Sequence, residues 1–417
     1  MKAIKALVVA TAFVPLAWAR APQEDVLVLR VGKILTVTKG VIDGGVIVIK
    51  GGKIIAIGAD ADVAIPDGAK VIDARDKWAT PGIIDLHCHI GGMTGDINDM
   101  VNPTNPEMST RPTIDPNSEL LKDAVAGGVT TVLYIPGSGT NIGGFGTLMN
   151  TAGGKTIDDL IVRWPGGMKV AQAWNPERRS GDLGQSRMGM WWALRHLLDR
   201  AKNYNDAMTA FEKGTTKIKP EGQPDLELMR GLFQHKYPVI IHTADARDVM
   251  GTVRMFHDEY GLKMIVSHGE FGGYKVAEEI AKRGLHANIG PRLYDYDALA
   301  GHVPDGHCNG IATKYYEGGV RHLSLNTDSP VVPQEDLVFQ GTMAVHLGLD
   351  PQVALRGLTI EPADALLIAD KKGSLEVGKD ADIVLWTGDL FDVRNYVTLV
   401  TIKGKVVYDI TKDKRRY

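Results

Sequence analysis

Thr80-Pro81-Gly82-Ile83-Ile84-Asp85-Leu86-His87-Cys88-His89 is an apolar run that ends in two histidines one residue apart. Its composition predicts a buried strand. Side chains alternate faces along a strand, so His87 and His89 point the same way and can chelate one metal ion, while Cys88 turns away as a small packed residue. Two nitrogens leave a metal's coordination shell open. Further ligand types stand at the ends of later apolar runs: Val239-Ile240-Ile241-His242, Met264-Ile265-Val266-Ser267-His268 and Leu323-Ser324-Leu325-Asn326-Thr327-Asp328. Each histidine alone reads more simply as a packed or surface residue. Four at the ends of three apolar runs, with an aspartate after another such run, point to a metal-dependent hydrolase.

Working outward, apolar strands alternate with helix-like stretches, the pattern of parallel β/α units. Strands are expected at 83–89, 130–135, 168–173, 239–242, 264–268, 285–289 and 322–327, with an eighth near Phe145 to Met149. Helices are expected at Met190 to Tyr204, Asp225 to His235, Ala246 to Tyr260, Tyr274 to Arg283 and Pro351 to Thr359. Such a series suits a closed (β/α)8 TIM-like barrel, typically about 250 residues before insertions, whose chemistry sits where the strands end. An open doubly wound sheet is the rival, and it does not gather the first, fifth, sixth and last strands to one point.

Short apolar strands separated by turns fill Val26 to Ala79 and read as antiparallel, with no helix to cross between parallel strands. The same texture returns at Ala381 to Trp386, Val397 to Ile402 and Val406-Val407-Tyr408, so both chain ends are expected to build one small β-sandwich. The division expected is 1–21 signal peptide, 22–80 first part of the sandwich, 81–371 barrel and 372–417 second part of the sandwich. Lys2 and Lys5, the apolar Ala6 to Leu16 and the small-x-small Ala17-Trp18-Ala19 form the export signal, which predicts a periplasmic or secreted protein. The apolar stretch is shorter than the roughly 20 residues of a bilayer span, so no stable membrane span is expected after cleavage.

Lys and Arg number 47 against 50 Asp and Glu, a net charge of -3 with no basic stripe, which argues against a nucleic-acid partner. The partner expected is a small-molecule substrate, with homo-oligomerisation left open. The two cysteines, Cys88 and Cys308, offer no disulfide framework. Lys412-Asp413-Lys414-Arg415-Arg416 reads as a solvated end.

Two cations in one pocket need an anion between them. Lys169, in Gly167-Met168-Lys169-Val170-Ala171, fits: a lysine ending a strand inside a metal cavity is costly unless reaction with carbon dioxide turns it into a carbamate. Lys217 and Lys219 compete for that role from a loop-like segment. Pro136-Gly137-Ser138-Gly139-Thr140-Asn141-Ile142-Gly143-Gly144-Phe145-Gly146 lacks the Gly-Lys-Ser/Thr of a phosphate loop and reads as a flexible loop at the catalytic rim. With Asn175 to Arg179 and Pro291-Arg292-Leu293-Tyr294 it is expected to select substrate; Arg178, Arg292 and Tyr294 are the contacts, and an arginine there can grip a carboxylate through two hydrogen bonds. His196, His235, His257 and His346 fall on expected helices, His286 at the wrong end of its strand, and His302 and His307 in a loop.

This ensemble resembles the amidohydrolase superfamily of metal-dependent (β/α)8-barrel hydrolases. Pro81 to His89 matches the family's first-strand signature, and Gly373-Ser374-Leu375-Glu376-Val377-Gly378-Lys379-Asp380-Ala381-Asp382-Ile383-Val384 its return to the sandwich. The chain looks most like the imidazolonepropionase-like and related periplasmic members. The resemblance implies that His87, His89 and Asp328 bind the more buried metal, His242 and His268 the more exposed one, and carboxylated Lys169 bridges them; without that modification the site is mononuclear. Zinc is the first choice, with manganese, iron or cobalt able to use the same ligands. Metal coordination lowers the pKa of water from about 15.7 to about 7, so a hydroxide attacks the polarised carbonyl, and Asp328 serves as base and then acid. The expected reaction is cleavage of a C–N bond in a cyclic amide, an N-acyl amino acid or a dipeptide. A mononuclear deaminase of the superfamily is the enzymatic alternative, and a non-catalytic binding barrel the other.

Overall fold

The computed structural model describes residues 26–100, 102–177, 186–299 and 303–413. The expected signal peptide and Arg178 lie outside these residues. Among the described residues no helix is long and apolar enough to cross a membrane.

The N-terminal segment supplies β1 (Leu27–Leu35), β2 (Val41–Lys50), β3 (Lys53–Ala59) and β4 (Lys70–Pro81). Then come β5 (Ile83–Cys88), β6 (Val129–Tyr134), β7 (Ile142–Asn150), β8 (Ile161–Ala171), β9 (Val239–Asp245), β10 (Met264–Phe271) and β11 (His286–Ile289). The hairpin β12 (Tyr294–Leu299) and β13 (Val303–Gly310), β14 (Leu323–Leu325) and the C-terminal β15 (Ile383–Trp386), β16 (Val397–Ile402) and β17 (Lys405–Asp409) complete the set.

Both chain ends meet in one sheet of order β17-β16-β15-β4-β1-β2-β3. One face buries Leu29, Ile34, Ile47, Ile383 and Leu385; the other buries Val28, Val46 and Val48. The expectation of purely antiparallel pairing fails at one place: β1 and β4 run parallel. The β2–β3 hairpin carries the chain past one edge of β1 and returns it to the other, so no crossover helix is needed.

The second sheet has the order β14-β11-β10-β9-β8-β7-β6-β5 and forms the TIM-like barrel. Its alternate strand residues face outward onto helices, as Val239, Ile241, Val266 and Ala287 do in the main core, while Ile84, Leu133, Ile240 and Ile265 fill a separate interior cluster. The expected eighth strand is present, but β7 runs antiparallel to both neighbours. The links 135–141 and 151–160 explain this. The first is shorter than the dozen or so residues a parallel crossover needs, and the second holds only the short helix Ile157–Leu160.

The helices also depart in detail. Arg187–Glu212 is one long helix, 225–235 splits into Pro224–Glu227 and Arg230–Phe233, and Ala246–Thr252 passes into a π-turn at Val253–Glu259. His307 lies in β13 rather than a loop. Half of the glycine-rich run belongs to β7, and most of it is buried, so its reading as a rim loop is corrected. The first and last barrel strands are tied by the His89 N–H, which donates to Ser329 O at 2.8 Å. That tie brings the two ends of the chemistry together.

Candidate metal centre

Asp85 builds the junction. Its Oδ1 accepts from His87 N at 2.9 Å, and its Oδ2 from Thr327 N at 3.1 Å, Thr327 Oγ1 at 2.8 Å and Gln334 Nε2 at 2.8 Å. Burial pushes its pKa up to about 6 against these donors, so it stays a carboxylate at neutral pH and holds β5 against the loop after β14. Asp328 follows Thr327 in a left-handed conformation, φ 50°, a strained backbone for a non-glycine residue. It aims Oδ1 between two imidazoles: 3.1 Å from His89 Nε2 and 3.3 Å from His87 Nε2. One ligand atom from each of His87, His89 and Asp328 lies within 4.8 Å of the others.

Three of the histidines are anchored through Nδ1. His89 Nδ1 donates to Ile135 O at 2.8 Å, His268 Nδ1 donates to Gly290 O, and His87 Nδ1 sits 2.6 Å from Ser267 Oγ. A neutral His89 that donates from Nδ1 presents the lone pair of Nε2 to a carboxylate, which is repulsive unless a proton or a cation lies between. Nε2 of His87 and of His268 are buried with no hydrogen-bond partner among the described residues. Buried polar atoms are rarely left so, and anchoring one ring nitrogen while freeing the other is how proteins present histidine to a metal. The donor set therefore fits a divalent cation.

The other predicted ligands are adjacent. The His268 ring is 4.4 Å from that of His87 and 4.6 Å from that of His242, centre to centre. Lys169 is fully buried on β8, and its Nζ donates to Ser138 Oγ at 2.7 Å, itself 3.2 Å from His242 Nδ1. Burial lowers the Lys169 pKa to about 8, which leaves roughly a tenth of it as free amine at pH 7, the form that reacts with carbon dioxide. Burial, with Lys169 and His268 nearby, also holds His87 and His242 well below the usual imidazole range, so both are neutral. Burial works against the Asp328 carboxylate, but His268, His87 and His89 outweigh it and keep its pKa well below the ordinary value.

Lys217 and Lys219 lie on an exposed segment and are not part of this cluster. At the rim, the Arg292 backbone N–H donates to Glu270 Oε1 at 2.8 Å, and its guanidinium sits 4.7 Å from the centre of the Phe271 ring, whose centre is 4.3 Å from that of Trp174 with the two rings tilted by 49°. Tyr294 is 41% exposed and packs edge-on against Tyr296. Sequence reading missed Ser138, Ser267, Asp85 and Glu270. For Asp85 the signal was available: it precedes His87 by two and so shares its face. Glu270, whose Oε1 is 4.0 Å from His268 Nδ1, stands two residues after a picked histidine.

The family model described as the amidohydrolase family matches residues 78–407. The amidohydrolase tasK of Hapsidospora irregularis is 26% identical over 83% of this chain, which spans only 38% of that relative's length. An imidazolonepropionase of Mesorhizobium japonicum is 25% identical over 83% of this chain and 87% of its own. A crystal structure described as an amidohydrolase from Thermotoga maritima MSB8 superposes with a TM-score of 0.82 at 28% identity, covering 92% of this chain and 100% of that one. With a family match running from the end of β4 into the last strand, over a barrel that gathers histidines, a lysine and an aspartate where its strands end, the chain belongs to the amidohydrolase family.

Proposed function

We propose that this enzyme hydrolyses a C–N bond in a cyclic amide, an N-acyl amino acid or a dipeptide, at a centre of two divalent cations, zinc first among them. His87, His89 and Asp328 would hold one, His242 and His268 the other, and carboxylated Lys169 would bridge them. The observation that supports this most directly is that the buried Nε2 atoms of His87 and His268 have no hydrogen-bond partner among the described residues, with the Asp328 carboxylate beside His87. Bound there, such a cation supplies Lewis acidity for a carbonyl oxygen and for a water molecule.

The chain's own part is proton handling and positioning. Asp328 Oδ1 is engaged by the histidines, which leaves Oδ2 to accept the proton of the attacking water and return it to the departing nitrogen. The low pKa of Asp328 makes it a weak base that gives the proton up readily. Arg292, whose guanidinium carbon lies 4.7 Å from the centre of the Phe271 ring and which makes no ion pair with a carboxylate among the described residues, suits a substrate carboxylate; Tyr294 and Arg178 are proposed beside it. Export to the periplasm or medium, on the leader-like residues 1–21, belongs to the same reading.

A panel of cyclic amides, N-acyl amino acids and dipeptides, assayed on zinc-loaded protein, tests it. Turnover of one of these classes that falls in Arg292→Ala through KM supports the reading. Release of ammonia from an aminated heterocycle, with none of the panel turned over, would instead establish the deaminase, for which the partly buried Glu270 beside His268 is the supporting feature.

A further inference from the structure

Barrel interiors are ordinarily filled by branched apolar side chains, yet on one side this interior is polar from end to end. His286 Nε2 lies 2.7 Å from Ser324 Oγ, Ser324 Oγ is 2.7 Å from Asn288 Oδ1, Asn288 Nδ2 is 3.2 Å from Ser267 Oγ, and Ser267 Oγ is 2.6 Å from His87 Nδ1. His286 is 8% exposed and the other four groups are fully buried. The chain starts at a cavity of about 330 Å³ at the N-terminal ends of β9, β10 and β11, where His286 lines the wall with His257, Lys263, Arg283 and His322. It finishes on a candidate metal ligand.

Such a chain has a direction. As placed, Ser324 donates to Asn288 Oδ1, so its oxygen must receive the Nε2–H of His286; Asn288 Nδ2 then donates to Ser267, which donates to His87 Nδ1. In that sense the one proton of neutral His87 sits on Nε2, and His87 cannot ligate a cation through that atom. The reverse sense keeps every bond. His87 Nδ1–H donates to Ser267, Ser267 to the turned amide of Asn288, the amide to Ser324, and Ser324 to His286 Nε2, whose own proton then sits on Nδ1. A mixed arrangement strands one hydroxyl between two donors, Ser267 if the amide stays and Ser324 if it turns, because no other partner of either Oγ is found among the described residues. A buried hydroxyl proton without an acceptor costs about 1–3 kcal/mol.

We propose that Ser324, Asn288 and Ser267 couple the tautomer of His286, at the base of the barrel, to the metal-ligating tautomer of His87 at its mouth. Cation binding reverses the chain: two hydroxyls rotate, one amide turns over, and each imidazole moves its single proton from Nε2 to Nδ1 by exchange with water, with no net proton gained or lost. Coupling is reciprocal, so whatever fixes the His286 tautomer biases cation affinity at His87. The inference rests on the metal-centre reading above.

The test is 15N NMR of histidine-labelled protein titrated with zinc alone, with the His286 signals identified by their loss in His286→Gln. The expected result is that zinc, binding in stoichiometric amount as seen at His89 and His268, switches His286 from the Nε2–H to the Nδ1–H pattern. Ser324→Ala should abolish that switch while zinc still binds. Zinc binding with the His286 signals unmoved overturns the relay alone, as does a switch that survives in Ser324→Ala. Absence of zinc binding overturns both the relay and the metal-centre reading.

Discussion

In the proposed mechanism the chemistry narrows to single atoms at Asp328. Replacing it by Asn keeps the size and the left-handed backbone but removes the proton acceptor, so Asp328→Asn is expected to lose about 10²–10⁴ of turnover, as steady-state kinetics alongside metal content would show; full activity with both metals bound would sink the assignment. Asp85 matters differently, because it touches no reacting atom. Asp85→Ala would bury four donors from His87, Thr327 and Gln334 without an acceptor. A loss of about 3 kcal/mol or more is expected, read as a lower urea midpoint, and an unchanged midpoint would contradict the role given to this carboxylate. Residues at strand ends were legible in the sequence because an apolar run stopping at a histidine is a local signal. Ser138 was not, since it sits in a glycine-rich run whose composition reads as a loop, and only folding places it between Lys169 and His242.

Elements fix the directions in which those atoms point. Gly290 closes β11 with φ 131°, and a Cβ there would stand 2.2 Å from Asn326 O. Its own carbonyl anchors His268 Nδ1. Gly290→Ala is therefore expected to destabilise the fold by about 1–3 kcal/mol and to weaken zinc binding at His268; calorimetry for both would check it, and wild-type values in each would show that the close approach relaxes freely. At this scale the sequence was less informative. The apolar pattern marked β7 as a strand, but direction depends on the length of the links on either side, and the sense of β1 against β4 depends on a hairpin folding outward. Neither is written in periodicity. Arg187–Glu212, by contrast, was foreseen in place though not in length, because its buried stripe recurs at helical spacing.

For the whole molecule, acid is the condition that separates the buried histidines from the rest. Burial, with a smaller push from His322, depresses the His286 pKa to about 3. The unfolded chain, with an imidazole near 6.5, binds more protons between those values. The stability due to neutral His286 is thus complete above about pH 6.5 and is lost as pH falls towards 3. His286→Gln, which keeps a polar partner for Ser324, should flatten the acid limb of urea unfolding by up to about 1.4 kcal/mol per pH unit; an unchanged slope would mean that His286 is protonated in the folded protein. The family and the barrel were legible at this scale from two short motifs at opposite ends of the barrel segment. The polar file through the barrel was not, because it joins residues from four strands that no local pattern relates.

The central claim is that the six groups at the strand ends form a two-cation site bridged by a modified lysine. Metal content per chain, measured on protein purified without chelators and combined with native mass spectrometry, tests it most directly. The account predicts two divalent cations and the added mass of one carbon dioxide, both lost in Lys169→Ala. A chain that takes up no divalent cation even in excess zinc, or that keeps two in Lys169→Ala, would contradict it.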